Sequence, residues 1–218
     1  MTKTLIGIPC MAKLDKDFVE SFFEMMLAGS EILDMMVQVM FVEGSLTYDA
    51  RNKIVVAAVE GGFDRVLWID SDMVFTPDLL KRLSNRIDQG YDYVAALAFR
   101  RMPPYKPVIY SQIGYTKNKD GNDVATMVTY EPYPENSFFE VAASGFGCVM
   151  TSVKLLKACL EMGLPFSPRL GFGEDVSFCL LCTKLGFKMY CDSSIKVGHI
   201  GRMIVDEEVY KKCQDSLS

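Results

Sequence analysis

An α/β fold built on a mainly parallel sheet, with helices on both faces, follows from two observations. The first hundred residues alternate short apolar, β-branched runs with stretches of helical periodicity, and crossovers of that kind demand a parallel sheet with right-handed connections. One of those runs, Arg65-Val66-Leu67-Trp68-Ile69, breaks at once into Asp70-Ser71-Asp72. That places two carboxylates at the carboxyl end of a buried strand, where open α/β sheets build their ligand sites.

Each element has its own signal. Thr4 to Pro9 is an apolar strand closed by Pro9 and Cys10. Phe18, Phe22, Met25, Met26 and Gly29 recur at helical spacing, giving a helix from about Asp15. Val37 to Val42 is a second strand, ending in Glu43-Gly44. A helix rich in Ala and Val runs from about Tyr48 to Glu60 and is closed by Gly61-Gly62. After the Trp68 strand, Thr76 as N-cap and Pro77 at the first helical position start a helix reaching about Gln89. Asp92 to Phe99 is a fourth strand.

Beyond Arg100 the pattern changes to an antiparallel excursion. Pro103, Pro104 and Pro107 interrupt it. Asn118 to Asn122 is a hairpin turn joining Val108–Tyr115 to Val124–Tyr130. Glu140 to Thr151 is apolar and broken by Gly145 and Gly147. Val153 to Gly163 is a helix, Pro165 to Gly173 a loop, and Glu174-Asp175 open a helix running to about Gly186. Lys188 to Asp192 is a last strand, and Ile195 to Gly201 carries the only histidine, His199.

Composition narrows the function. Half of the 218 residues are hydrophobic and 23% are charged, an ordinary balance for a globular protein read here as one domain over 1–218. A net charge of −5 argues against broad electrostatic binding to nucleic acid or an anionic membrane. Seven cysteines, an odd number scattered through apolar segments, read as reduced thiols. No run approaches the ~18 apolar residues of a membrane helix. The expected location is cytoplasmic. The first strand is not followed by G-x-G-x-x-G, which sets aside a dinucleotide enzyme. Cys179 and Cys182 lie at i, i+3 on an apolar helix face with no second pair at zinc spacing, so they are read as packing, and the methionines 25, 26, 35, 36 and 40 as core or an interface.

Asp70 to Val74 also matches literally the Asp-x-Asp-x-Thr/Val pattern of haloacid-dehalogenase phosphatases, in which the first Asp is the nucleophile and the second a general acid/base. The order of four features favours a different reading. Asp70-x-Asp72, Gly145-Phe146-Gly147, Gly173-Glu174-Asp175 at a helix start, and Val197-Gly198-His199 after the last strand together resemble GT-A glycosyltransferases. The resemblance is particularly to small family-two-like enzymes of bacteria and phages, over residues about 4 to 201.

That resemblance implies a GT-A, Rossmann-like mixed sheet and a metal-dependent transfer of one sugar from a nucleoside-diphosphate donor, UDP on family frequency, to a hydroxyl acceptor. The acceptor could be a glycan, a protein, a small molecule or a modified DNA base. It implies Mn²⁺ or Mg²⁺ held by Asp72 and His199, with Asp70 joining through water or holding the ribose. Pro9, Cys10, Glu43 and Ser71 would line the donor pocket, and Arg51 would meet phosphate or a base edge. Gly145 and Gly147 would let backbone approach the sugar. Arg100, Arg101 and Lys106 are suggested phosphate or acceptor contacts. Asp175 resembles the base of inverting members, with Glu174 orienting the acceptor or exchanging roles with it. The helix dipole is expected to lower the Asp175 pKa. A non-catalytic module that binds nucleotide or glycan is the third possibility.

Overall fold

The computed structural model describes residues 1–30, 35–44, 46–169 and 171–201. In chain order the elements are β1 (Thr2–Cys10), α1 (Lys16–Ser30), β2 (Met35–Glu43), α2 (Thr47–Glu60), β3 (Arg65–Ile69), β4 (Met73–Val74), α3 (Leu79–Asp88) and β5 (Tyr93–Leu97). They continue with β6 (Ile109–Lys117), β7 (Asp123–Thr129), β8 (Phe138–Val141), β9 (Ala143–Ser144), β10 (Cys148–Ser152), α4 (Val153–Leu160), α5 (Glu174–Lys184), β11 (Met189–Lys196) and β12 (Gly198–His199).

Seven strands form one mixed sheet in the order β2-β1-β3-β10-β5-β11-β8. β2, β1 and β3 are parallel, as are β5 and β11, while β10 runs antiparallel between β3 and β5. Both faces are covered. Alternation along the strands sends Leu5, Val66 and Trp68 to a core shared with α2, α4 and α5. The intervening Ile6, Ile8, Leu67 and Ile69 go to a second core shared with α1 and α3. This two-sided burial is why these strands read as continuous apolar runs. Cys179 and Cys182 are fully buried in the first core, as packing requires. The methionines divide: Met25 is buried, whereas Met36 is exposed.

The helix after the acidic pair starts later than Thr76 and Pro77 suggest. Thr76 donates its hydroxyl to Asp78 at 2.6 Å and its carbonyl accepts from Leu79 N, so 76–78 form a turn ahead of α3. The predicted hairpin is present, with Asn118 Oδ1 accepting from the backbone of Asp120 and Asn122. It belongs to a separate three-stranded sheet, β7-β6-β9. The last long strand runs to Lys196, past the predicted end at Asp192.

One pairing matters most for function. β12 pairs antiparallel with β4, setting His199 opposite Met73, and Ile200 N donates to Asp72 O at 2.8 Å. Gly198 permits this contact, since a Cβ there would fall 2.5 Å from Val74 Cγ2. The described chain therefore returns to the acidic turn 127 residues after Asp72.

Candidate functional site

Asp70, Ser71 and Asp72 turn out of β3 at the carboxyl edge of the sheet. Asp70 N donates to Gly147 O at 2.9 Å, which pins the turn to the loop entering β10. Two adjoining cavities meet here. The larger, about 600 Å³, is walled by Pro9, Cys10, Lys13, Asp15, Gly44, Thr47, Asp70, Ser71, Asp72, Arg101 and His199. The smaller, about 230 Å³, is walled by Arg51, Asp70, Gly145, Phe146, Gly147, Glu174, Asp175 and His199 among others. Thr47, Asp70 and His199 border both.

Thus nearly every predicted site residue lies at one place. Among the donor-pocket and catalytic candidates Glu43 is the exception. It is exposed at the end of β2, opposite Cys10, and Gly44 and Thr47 form the wall instead. Its charge and partial burial of the thiol raise the Cys10 pKa, burial contributing more.

Asp72 and His199 face each other. His199 Nδ1 lies 3.1 Å from Phe99 O, which can only accept, so Nδ1 carries the proton. That orientation aims Nε2 at Asp72 Oδ2, 3.2 Å away. The same oxygen accepts from Arg101 Nη1 at 2.8 Å. Burial alone would raise the Asp72 pKa, but the hydrogen-bonded imidazole and the Arg101 guanidinium outweigh it and hold the carboxyl below its ordinary value. The hydrogen bond to Asp72 raises the His199 pKa in turn. A carboxylate oxygen and an imidazole nitrogen converge, with the other ring nitrogen fixed by a backbone carbonyl. That donor set suits a divalent ion. Among the described residues no third His, Cys, Asp or Glu completes the group.

Arg51 is placed differently from the phosphate contact its position suggested. Its side chain is only 3% exposed. Nη2 donates to both Asp70 oxygens at 2.8 and 3.0 Å, and Nη1 to Glu174 Oε1 at 2.7 Å. The guanidinium lies over Phe146 and Phe166 at 5.1 and 5.9 Å. Arg51 is thus a strut tying the Asp70 turn to the start of α5. It rests on an aromatic cluster that includes Trp68 and Phe178. Burial holds the Asp70 carboxyl above its ordinary value, with Arg51 pulling the other way. Both Asp70 oxygens accept from Arg51, so this carboxylate is already engaged by a buried cation.

Asp175 departs from the expected direction. Its pKa is raised, because desolvation at the floor of the smaller cavity outweighs the Val176 N–H that donates to Oδ1 at 2.7 Å. Position in the first turn of α5 does not overcome burial. Glu174 is held by Arg51, which leaves Asp175, of the two acids that open α5, without a cationic hydrogen-bond partner among the described residues.

Gly145 and Gly147 line the smaller cavity, yet their missing side chains are explained by packing. A Cβ would lie 3.2 Å from Val108 at Gly145, and 3.1 Å from Met73 Sδ at Gly147. Of the three suggested basic residues, Arg101 reaches the site. Lys106 pairs with Glu131, and Arg100 reaches toward the Tyr110 hydroxyl. Thr47, at the start of α2, and the loop residues Lys13 and Asp15 escaped the sequence reading because nothing local marks residues that only the tertiary fold brings to a cavity.

No protein-family profile matches the sequence, and no curated protein does. Solved structures do resemble the chain. A197 from STIV superimposes with a TM-score of 0.60 at 18% identity, over 95% of this chain and 87% of that one. GalNAc-T7, solved with UDP, GalNAc and Mn²⁺, gives 0.61 at 12% identity over 93% of this chain, which spans only 43% of GalNAc-T7. A CMP:2-keto-3-deoxy-manno-octonic acid synthetase complexed with CTP gives 0.50 at 11% identity, over 100% of this chain and 98% of that one. At these identities the likeness concerns the fold, and the fold is GT-A-like. None of the helices described is long and apolar enough to cross a membrane.

Proposed function

We propose that the chain is a metal-dependent glycosyltransferase, one domain in extent, that moves a sugar from a nucleoside diphosphate to a hydroxyl acceptor with inversion. The observation that carries this reading is the convergence of Asp72 Oδ2 and His199 Nε2, 3.2 Å apart, between a donor-sized cavity and a smaller one floored by Asp175. Asp72 and His199 would hold Mn²⁺ or Mg²⁺ directly. When bound, that ion would act as a Lewis acid on the diphosphate as its charge develops.

The chain's own residues supply the rest. Pro9, Cys10, Gly44 and Ser71 give the larger cavity its nucleoside-facing wall. Arg51 fixes the Asp70 turn and Glu174 on one rigid centre, so the donor and acceptor sides keep their spacing. Asp175, in its carboxylate form, takes the proton of the acceptor hydroxyl. That oxygen bonds to the anomeric carbon while the bond to the diphosphate breaks. Desolvation makes the carboxylate a stronger base than an exposed one, which supports Asp175 over Glu174 in this role.

UDP is the proposed nucleotide. The UDP in the GalNAc-T7 structure and the CTP in the synthetase both contain pyrimidines, which supports that choice. A phosphatase is disfavoured by the Asp70 geometry, because a carboxylate gripped through both oxygens by a buried guanidinium is a poor nucleophile.

The test is thermal stabilisation by UDP, GDP, CDP, CTP and beryllium fluoride, each with and without divalent metal. At a hundred times its Kd a ligand adds about 2.7 kcal/mol, roughly 5–10 °C for a chain of this size. The reading predicts that one nucleoside diphosphate stabilises only with Mn²⁺ and that Asp72→Ala abolishes the shift. Stabilisation by CTP alone would indicate nucleotidyl transfer. A response only to beryllium fluoride with Mg²⁺ would restore the phosphatase. Metal-dependent UDP binding with no transfer or hydrolysis would leave a binding module.

A further inference from the structure

Resting on the glycosyltransferase reading, we propose that Arg101 is a donor-binding residue that couples metal and diphosphate. It satisfies Asp72 while the site is free and passes its charge to the donor diphosphate when a divalent ion takes Asp72. Three groups compete for one oxygen. Asp72 Oδ2 accepts from Arg101 Nη1 at 2.8 Å and faces His199 Nε2 at 3.2 Å. A divalent ion held by that oxygen would stand beside the guanidinium. Two positive groups that close repel strongly in a partly desolvated pocket, so the guanidinium must leave or find an anion.

The structure shows how it can leave. The Arg101 side chain is 57% exposed, and Asp72 is its one ion-pair partner among the described residues. The backbone just before it, by contrast, is tied down. Arg100 N donates to Lys106 O at 3.0 Å, and Phe99 bridges Pro107. Gly201 packs so closely that a Cβ would lie 3.1 Å from the Arg101 carbonyl oxygen. The root stays fixed while a long side chain swings. It stays on the wall of the larger cavity, which it shares with Ser71 and Lys13. The planar fork of a guanidinium suits a diphosphate, which offers several oxygens at once.

The consequence is reciprocal. Metal alone must displace Arg101 and binds weakly, whereas metal with diphosphate gives the displaced cation a new partner. Because only two protein ligands converge among the described residues, diphosphate oxygens would strengthen metal binding in any case. The contribution of Arg101 is therefore the part of the coupling that disappears with its charge.

The experiment is a titration of the whole chain with MnCl₂, with and without saturating UDP, reading free Mn²⁺ by electron paramagnetic resonance. In the unmodified chain UDP should tighten Mn²⁺ binding by about 5–150-fold, the usual range of such coupling. Arg101→Gln should bind Mn²⁺ alone several-fold more tightly and show a UDP effect at least several-fold smaller, while Arg101→Lys stays near the unmodified chain. Equal Mn²⁺ affinity in Arg101→Gln with an undiminished UDP effect would overturn the proposal and leave the transferase reading standing. No Mn²⁺ binding by any variant, with or without UDP, in protein that melts normally would overturn both.

Discussion

Arg51 concentrates the electrostatics of the site in one side chain. Its guanidinium serves two carboxylates from a buried position, and its Nε has no hydrogen-bond partner among the described residues. Replacing it with methionine should leave Asp70 and Glu174 facing each other uncompensated. Breaking a buried pair costs about 3–5 kcal/mol. Both acids are a quarter to a third exposed, so we expect Arg51→Met to cost about 2–3 kcal/mol in urea denaturation. Asp175 should behave in the opposite sense. Its folded pKa lies above the unfolded value, so its stabilising contribution is present below the ordinary carboxylate range and is lost as pH rises through the folded value. Asp175→Asn should therefore raise Tm at pH 7 while lowering transfer by about 10²–10⁴-fold. In the unmodified chain the acid limb of the pH–rate profile should lie above that of an exposed carboxylate. A lower Tm for Asp175→Asn at pH 7 would contradict this account.

At the scale of elements, the site depends on how closely α2 approaches β1. Gly7 allows it, since a Cβ there would lie 2.6 Å from Ile54 Cγ2, one turn along α2 from Arg51. Gly7→Ala should cost about 1–3 kcal/mol by overpacking. It should also weaken UDP-dependent stabilisation, because any shift of α2 moves Arg51. Asn52 adds a second tie, its Oδ1 accepting from Phe166 N at 3.0 Å and fixing the loop before α5. At the start of α4 the Ser152 hydroxyl accepts from Leu155 N at 3.1 Å, and Ser152→Ala should cost about 1 kcal/mol with no effect on ligand binding. Most of these elements were legible from periodicity and caps. The delayed start of α3 was not, because the Thr76 hydroxyl bonds to a side chain, Asp78, and caps no helix. The partners of β10 were also hidden, since an apolar run carries no mark of direction.

For the whole molecule, the two cores lie on opposite faces of one sheet and share its strands, alternate residues of β3 feeding each. Neither core can be lost without exposing the strands of the other. We therefore expect one cooperative urea transition, with Trp68 fluorescence and far-UV circular dichroism giving the same midpoint. Trp68 is a suitable probe. It is the only tryptophan, is 1% exposed, and donates to Thr151 Oγ1 across the β3–β10 pairing. Two separated midpoints would show that the halves of the chain fold independently, against a single domain.

The sequence by itself determined the alternation of strands and helices, the two-sided burial of the sheet, and the acidic turn after Ile69. Those features depend on residues close together in the chain, where periodicity and turn chemistry act. Its likeness to GT-A enzymes also pointed to His199 and Asp175. Only the tertiary structure decided what each polar group touches. Arg51 sits beneath carboxylates 19 and 123 residues away. Asp175 is desolvated by the protein packed around it, and that outweighs the Val176 N–H donated at the start of its own helix. Arg101, one of three basic residues suggested in a proline-rich loop, is singled out from the other two because strands that pair at long range bring it to Asp72. Charge and desolvation act through space, and a chain's spatial neighbours at a site are set by how its sheet is ordered.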